Sequence, residues 1–177
     1  MRRYYVTDRR RADVVACAER AIADGVDMIQ VREKDLGTRA LLALVERIVL
    51  AARGSETKVL VNDRLDVAIA AGADGVHLPA NGLRVADVRP LIQLVGVSTH
   101  TVDEVIAAES DGADFVVFGP VFDTPGKTAV GLERLRAITR QVSIPVFAIG
   151  GVHSGNAAMV LRAGAAGIAG IRAFQND

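Results

Sequence analysis

Ala71-Gly-Ala-Asp-Gly-Val76 ends a helical pattern and opens a strand, and the chain repeats it at Asp111-Gly-Ala-Asp-Phe-Val116 and Ala163-Gly-Ala-Ala-Gly-Ile168. Asp24-Gly-Val-Asp-Met-Ile29 is a looser copy. Glycine accepts the left-handed conformation that ends a helix, and the small residue after it lets the chain turn tightly into a sheet. Each copy therefore marks a helix-to-strand joint. Working outward, strands are expected at Tyr4–Thr7, Met28–Arg32, Lys58–Val61, Gly75–His77, Gln93–Val97, Phe115–Phe118, Val146–Ile149 and Gly167–Ile171. Helical patterns fall between them, with apolar residues recurring every three or four positions in Val14–Ala23 and Leu41–Ala52. Shorter ones follow at Ala68–Ala70, Val85–Leu91, Val102–Ser110, Leu132–Gln141 and Gly155–Ala163.

Strict alternation of short strands and helices specifies a parallel sheet with helical crossovers. Eight strands favour an α/β fold closed as a (β/α)8 TIM barrel, since closure removes both sheet edges. An open doubly wound sheet ranks second, because no Gly-x-Gly-x-x-Gly follows the first strand. After the last strand only Ala173-Phe-Gln-Asn-Asp177 remains, which is short for a closing eighth helix. The expectation is a barrel lacking its final helix, with an apolar groove left between the first and seventh helices; either a partner subunit covers it, as in a homodimer, or the chain is a shortened version of a longer family.

The chain has 177 residues and no Pro/Ser-rich or charge-rich linker, so one domain spanning residues 1–177 is expected. Half of the residues are hydrophobic but only 4% are aromatic, a balance suited to helix-on-sheet packing. Lys plus Arg total 21, equal to Asp plus Glu, which removes the simplest electrostatic case for nucleic acid or an anionic membrane as partner. The lone Cys17 can form neither an intrachain disulfide nor a cysteine-rich zinc site, and its helical flanks make it a buried small hydrophobe. No apolar stretch at the amino terminus is long enough for a signal sequence or membrane span, so the expected location is cytoplasmic.

The polar residues cluster at the carboxyl ends of the strands. In Ile29-Gln-Val-Arg-Glu-Lys34 the period of two projects Gln30, Arg32 and Lys34 from one face. Asn62-Asp63-Arg64, Thr124-Pro-Gly-Lys127 and Gly150-Gly151 follow other apolar runs. A barrel brings these ends to one mouth. There Arg32, Lys34 and Lys127 supply cations while Asn62, Thr124 and Ser98 supply neutral donors, a set suited to phosphate or diphosphate oxygens. Asp63 is the candidate ligand for Mg²⁺, a hard cation often held by a carboxylate beside phosphates. Its competing role is to cap the helix that follows. Gly150 and Gly151 can bring backbone N–H groups to a second phosphate, and Gly170-Ile171-Arg172 lies where barrels often complete such a site. His77, His100 and His153 do not fall at metal-ligand spacing, and His77 and His153 read as structural.

Taken in order, Tyr5-Val-Thr-Asp8, Ile29-Gln-Val-Arg-Glu-Lys34, Val61-Asn-Asp-Arg64, Gly72-Ala-Asp-Gly-Val-His-Leu78, Gly96-Val-Ser-Thr-His100, Gly119-Pro-Val-Phe, Thr124-Pro-Gly-Lys127, Gly131-Leu132 and Ala148-Ile-Gly-Gly151 resemble the thiamine phosphate synthase family over nearly the whole chain. The resemblance implies a (β/α)8 transferase that joins hydroxymethylpyrimidine diphosphate to hydroxyethylthiazole phosphate and releases diphosphate. It implies that Gln30, Arg32, Lys34, Asn62, Ser98 and Lys127 hold the pyrimidine diphosphate side and Asp63 the Mg²⁺. Thr124, Gly151 and the last-strand residues Ile171 and Arg172 would hold the thiazole phosphate.

Three departures bear on that reading. Gly82 stands where the family usually has a second metal-binding aspartate, Gly126 replaces a threonine, and Arg172 replaces a serine. The segment His77-Leu-Pro-Ala-Asn-Gly82 is closer to the related thiazole tautomerases, but Pro120 occupies the position of their acid/base histidine, and proline carries no titratable proton. The alternatives at this point are a tautomerase-like isomerase, with His100 as substitute catalyst, and a non-catalytic binder of thiazole or thiamine phosphates.

Overall fold

The Asp13 carboxylate accepts the backbone N–H groups of Val15 and Ala16 and so starts the first helix, α1 (Val14–Ala23), after strand β1 (Arg2–Val6). The same strand-then-helix unit recurs to the end of the computed structural model, which describes residues 1–175. The order is β2 (Met28–Val31), α2 (Thr38–Ala52), β3 (Lys58–Asn62), α3 (Leu65–Ala70), β4 (Gly75–Leu78) and α4 (Val85–Val88). It continues with β5 (Leu94–Thr99), α5 (Val102–Ser110), β6 (Phe115–Phe118), α6 (Leu132–Thr139), β7 (Val146–Ala148), α7 (Ala157–Arg162), β8 (Gly167–Gly170) and α8 (Arg172–Gln175).

All eight strands pair in parallel with their sequence neighbours, and β8 returns to β1 with Arg2 opposite Gly167, closing the barrel. Gly25, Gly72, Gly112 and Gly164, the second residue of each of the four repeats, all have positive φ between 66° and 96°. The repeats are thus the helix-ending turns that the sequence announces.

Alternate strand residues face opposite ways. The outward set, including Tyr5, Ile29, Val31, Val61, Val76 and Val116, packs with the helices and Cys17 in the main core. The inward set of Tyr4, Met28, Leu60, Phe115, Val117, Phe147 and Ala169 forms a second cluster inside the barrel. Tyr4, Phe115 and Phe147 meet edge to face, with ring centroids 5.4–5.9 Å apart.

The end of the chain differs from expectation in two ways. A final helix is present, one turn at Arg172–Gln175, because Phe174 lies against the Tyr5 ring at 5.6 Å and Gln175 donates to the Tyr5 hydroxyl (3.0 Å) and the Asp8 carbonyl (3.1 Å). Arg172 accordingly begins that helix instead of ending β8, which stops at Gly170. So short a helix leaves much of the α1–α7 space uncovered. A groove of about 700 Å³ remains there, with Ala21, Val26, Ala157, Ile168 and Phe174 on its walls and Arg3, Arg20 and Asp24 among its polar groups. Among the described residues no helix is long and apolar enough to cross a membrane.

Phe147 is fully buried and touches both other rings of the interior. Phe147→Ala is expected to lower unfolding stability by about 3–5 kcal/mol through lost burial and a residual cavity. Urea denaturation checks this, and a loss under about 1 kcal/mol would show that the rings do not form a packed interior.

Candidate active site

The strand ends place the predicted residues on one rim, as parallel closure requires. Gln30 lies in β2 and is buried, while Arg32 and Lys34 just beyond it are exposed and the intervening Val31 and Glu33 are buried. The alternation read from the sequence therefore persists past the end of the strand. Its cause is Glu33, which sequence reasoning passed over. The Thr7 hydroxyl donates to Glu33 Oε1 (2.6 Å) and accepts the Arg32 N–H (3.0 Å), while the Arg9 N–H lies 3.1 Å from both Glu33 oxygens. This buried carboxylate ties the β1–α1 loop to the segment that presents Arg32 and Lys34.

At the end of β3, Lys34, Asn62 and Asp63 line a cleft of about 250 Å³ with Glu33 and Arg64. Among the described residues Asp63 is the one non-glycine with positive φ, at 63°. Three backbone bonds hold this turn: Asp63 N–H to the His77 carbonyl (2.9 Å), Arg64 N–H to the Asn62 carbonyl (2.7 Å) and Leu65 N–H to the Asp63 carbonyl (3.1 Å). The helix-capping role does not materialise, since the N-cap of α3 is Arg64 and no side chain caps it. Arg64 turns instead to Asp66 (2.7 and 2.9 Å) and Thr38 (3.0 Å). Among the described residues the Asp63 carboxylate accepts no hydrogen bond and joins no ion pair.

The β6 side is built from two close loops. Pro125 and Gly126 form a two-residue turn between Thr124 and Lys127, which exchange backbone hydrogen bonds at 2.9 and 3.2 Å. Gly126 has φ 77°, suiting the third position of a type II turn. Gly150 and Gly151 also have positive φ, 89° and 64°, and lie against Pro120 and Phe122 so closely that a Cβ would fall 2.4 and 2.7 Å from their side chains. Neither glycine N–H finds a partner among the described residues. The Gly151 carbonyl accepts from Asn156 Nδ2 at 2.9 Å. Ile171 and Arg172 continue the same rim after β8.

Ser98, in β5, reaches the site through the barrel interior. Gln30 Nε2 donates to the Tyr4 hydroxyl (3.1 Å), that hydroxyl meets His77 Nδ1 (3.1 Å), and His77 Nε2 meets Ser98 Oγ (2.9 Å). Burial, followed by the nearby Arg32 charge, pushes the His77 pKa down to about 3, so the ring is neutral. Burial likewise raises the Tyr4 pKa and keeps its hydroxyl protonated. His77 is structural in the sense expected, but its ring also links two site residues. His100 is exposed and donates Nδ1–H to the Gly119 carbonyl at 2.8 Å.

Arg32, Lys34 and Lys127 form no ion pair among the described residues, so no carboxylate offsets their charge locally.

Fold and rim together define a (β/α)8 barrel whose mouth carries unneutralised cations, neutral donors and one uncommitted carboxylate. The thiamine monophosphate synthase family model matches residues 3–174, and the chain belongs to that family. It is 43% identical over 181 residues to the thiamine-phosphate synthase of Chloroflexus aurantiacus, covering 97% of this chain and 84% of that protein. It is 42% identical over 180 residues to the thiamine-phosphate synthase of Methanocella arvoryzae, covering 96% and 85%. The solved thiamine phosphate pyrophosphorylase of Pyrococcus furiosus superposes with a TM-score of 0.92 at 36% identity, over 99% of this chain and 88% of that one.

Gly151 and Gly126 separate two costs. Both have positive φ, but a Cβ meets nothing within 4 Å at Gly126 and meets Phe122 at Gly151. Gly126→Ala should cost about 1–2 kcal/mol from backbone strain alone, and Gly151→Ala about 1–3 kcal/mol more from the collision. Equal urea midpoints for the two variants would contradict the packing of the Gly150–Gly151 turn against the β6–α6 loop.

Proposed function

We propose that the chain is a thiamine phosphate synthase, a transferase that joins hydroxymethylpyrimidine diphosphate to hydroxyethylthiazole phosphate. The observation that carries this reading is the cleft that brings Lys34, Asn62 and the Asp63 carboxylate together, on the rim that also bears Arg32 and Lys127, in a chain of this family. In the reaction the bond between the pyrimidine methylene carbon and the diphosphate oxygen breaks, and its electron pair leaves with diphosphate. The thiazole nitrogen then donates its lone pair to the methylene carbon. No proton need move, which fits a rim rich in anion ligands.

In this proposal Arg32, Lys34 and Lys127 donate to the diphosphate and offset the charge that develops on it. Gln30, Asn62 and Ser98 orient the pyrimidine half. Thr124 and the backbone of Gly151 and Ile171 receive the thiazole phosphate, with Arg172 adding a charge-assisted donor.

A Mg²⁺ requirement fits the residues in part. Among the described residues no three His, Cys, Asp or Glu side chains gather as a metal cluster. Mg²⁺, however, is commonly bound through one or two carboxylates plus substrate phosphates and waters, and Asp63 beside Asn62 offers one such carboxylate. When bound there, the ion would neutralise part of the leaving diphosphate's charge. Gly82 offers no simple place for a second acid: its N–H donates to the Pro79 carbonyl (2.9 Å), and a Cβ would come within 2.9 Å of the Pro79 ring. Asp63 is thus the one carboxylate assigned to the ion, since Glu33 in the same cleft is occupied with Thr7 and Arg9.

Incubated with both substrates and Mg²⁺, the protein should yield thiamine phosphate and diphosphate in equal amounts by mass spectrometry, and EDTA should stop the reaction. Absence of product together with tight binding of thiazole phosphate would identify a binder instead. Asp63→Asn keeps a residue that tolerates positive φ, so it should fold normally yet lose about 10²-fold or more in kcat. Lys127→Ala should lose about 10²–10³-fold in kcat/KM, the range for removing one preorganised transition-state donor.

A further inference from the structure

We infer that Tyr4 and His77 are positioning residues that fix the polarity of a buried hydrogen-bond chain, so that the Ser98 hydroxyl donates outward to a phosphate oxygen at the barrel mouth. The inference deepens the synthase reading and rests on it for the identity of the ligand. A tyrosine hydroxyl has one proton. On Tyr4 the oxygen already accepts from Gln30 Nε2, and its own proton, buried with the side chain at 0% exposure, needs an acceptor. The acceptor in reach is His77 Nδ1, at 3.1 Å. A neutral imidazole that accepts at Nδ1 carries its proton on Nε2. His77 Nε2–H therefore donates to Ser98 Oγ at 2.9 Å. The Ser98 proton is left with no acceptor inside the barrel, and Ser98 is only half-buried.

The packing makes this polarity durable. The His77 ring is tilted against Tyr4 and Phe115, with centroids 5.7 and 6.0 Å apart. Gly96 lies beside it, where a Cβ would stand 2.9 Å from His77 Nδ1 and 2.3 Å from the Phe115 ring. The ring is packed between Tyr4 and Phe115 and hydrogen-bonded at both nitrogens, so the proton on Tyr4 decides what Ser98 offers to solvent. A serine whose proton was drawn inward by His77 would present only lone pairs to the mouth and repel a phosphate. The chain prevents that.

The test uses the intact protein, its three histidines and inorganic diphosphate with Mg²⁺ as probe. Nitrogen-15 NMR, assigned by the signals lost in His77→Gln, should show a proton on His77 Nε2 and a bare, hydrogen-bonded Nδ1; a protonated Nδ1 would overturn the inference. Ser98→Ala and His77→Leu should each bind diphosphate about tenfold or more weakly in calorimetry. His77→Gln, whose amide keeps a donor near Ser98, should recover most of that loss. In Tyr4→Phe the bias on His77 disappears, so its spectrum should shift towards the other tautomer with a matching fall in affinity. Unchanged affinity in Ser98→Ala, or an unchanged tautomer in Tyr4→Phe, counts against the chain. Failure of the wild-type protein to make thiamine phosphate while these results hold would remove the synthase reading and leave the directed serine standing.

Discussion

The edge-to-face triangle of Tyr4, Phe115 and Phe147 is the constraint on which the rest depends. An eight-stranded barrel encloses a space that must be filled by layers of inward side chains. These rings fill the lower part, and their area makes the closure stable without an aromatic-rich composition. The strand period of two then carries the chain from floor to mouth: Met28 is followed by Gln30, Leu60 by Asn62, Gly75 by His77 and Gly96 by Ser98. Each pair has an apolar or absent side chain below and a polar one above. A site built this way inherits the rigidity of the sheet, which is the condition for preorganised charge stabilisation.

Charge is distributed on the same principle. The formal charge is zero, which describes the molecule poorly. Arg64, Arg84, Arg89 and Arg136 are neutralised locally by Asp66, Asp87, Asp114 and Glu133. Exposed pairs of this kind add little stability. Arg32, Lys34 and Lys127 have no such partner among the described residues, which leaves local positive charge at the rim. Glu33, the acid closest to them in sequence, is occupied with Thr7 and Arg9 and shapes their segment through hydrogen bonds.

Most of the strand positions could be read in the sequence because the joints repeat and glycine marks each of them. The rim could be read as well, since Gln30, Arg32 and Lys34 alternate with buried neighbours. What escaped reading depended on long-range contacts. Four residues make a final helix only because Tyr5 and Asp8, at the other end of the chain, give Phe174 and Gln175 something to hold. Isolated turns of that length have no stability of their own. Glu33 carried no signal in the sequence, because its role depends on closure bringing Thr7 beside it. His77 looked like a structural core histidine, which it is, but the groups that satisfy it link it to Gln30 through Tyr4 on one side and to Ser98 on the other.

His77 also joins the two halves of the chemistry through different atoms. Its ring orders Ser98, while its backbone carbonyl accepts the N–H of Asp63. Asp63 holds a left-handed conformation that costs a non-glycine residue roughly 1–2 kcal/mol, and such strain persists only where surrounding structure enforces it. Here three backbone bonds enforce it, and one of them comes from β4. A glycine at position 63 would remove the strain and the carboxylate together. The chain keeps the acid and bears the strain, although among the described residues the carboxylate accepts no hydrogen bond and joins no ion pair. A carboxylate fixed at such cost and left with neither among the described residues is open to an incoming ligand, and β4 supports both that carboxylate and Ser98.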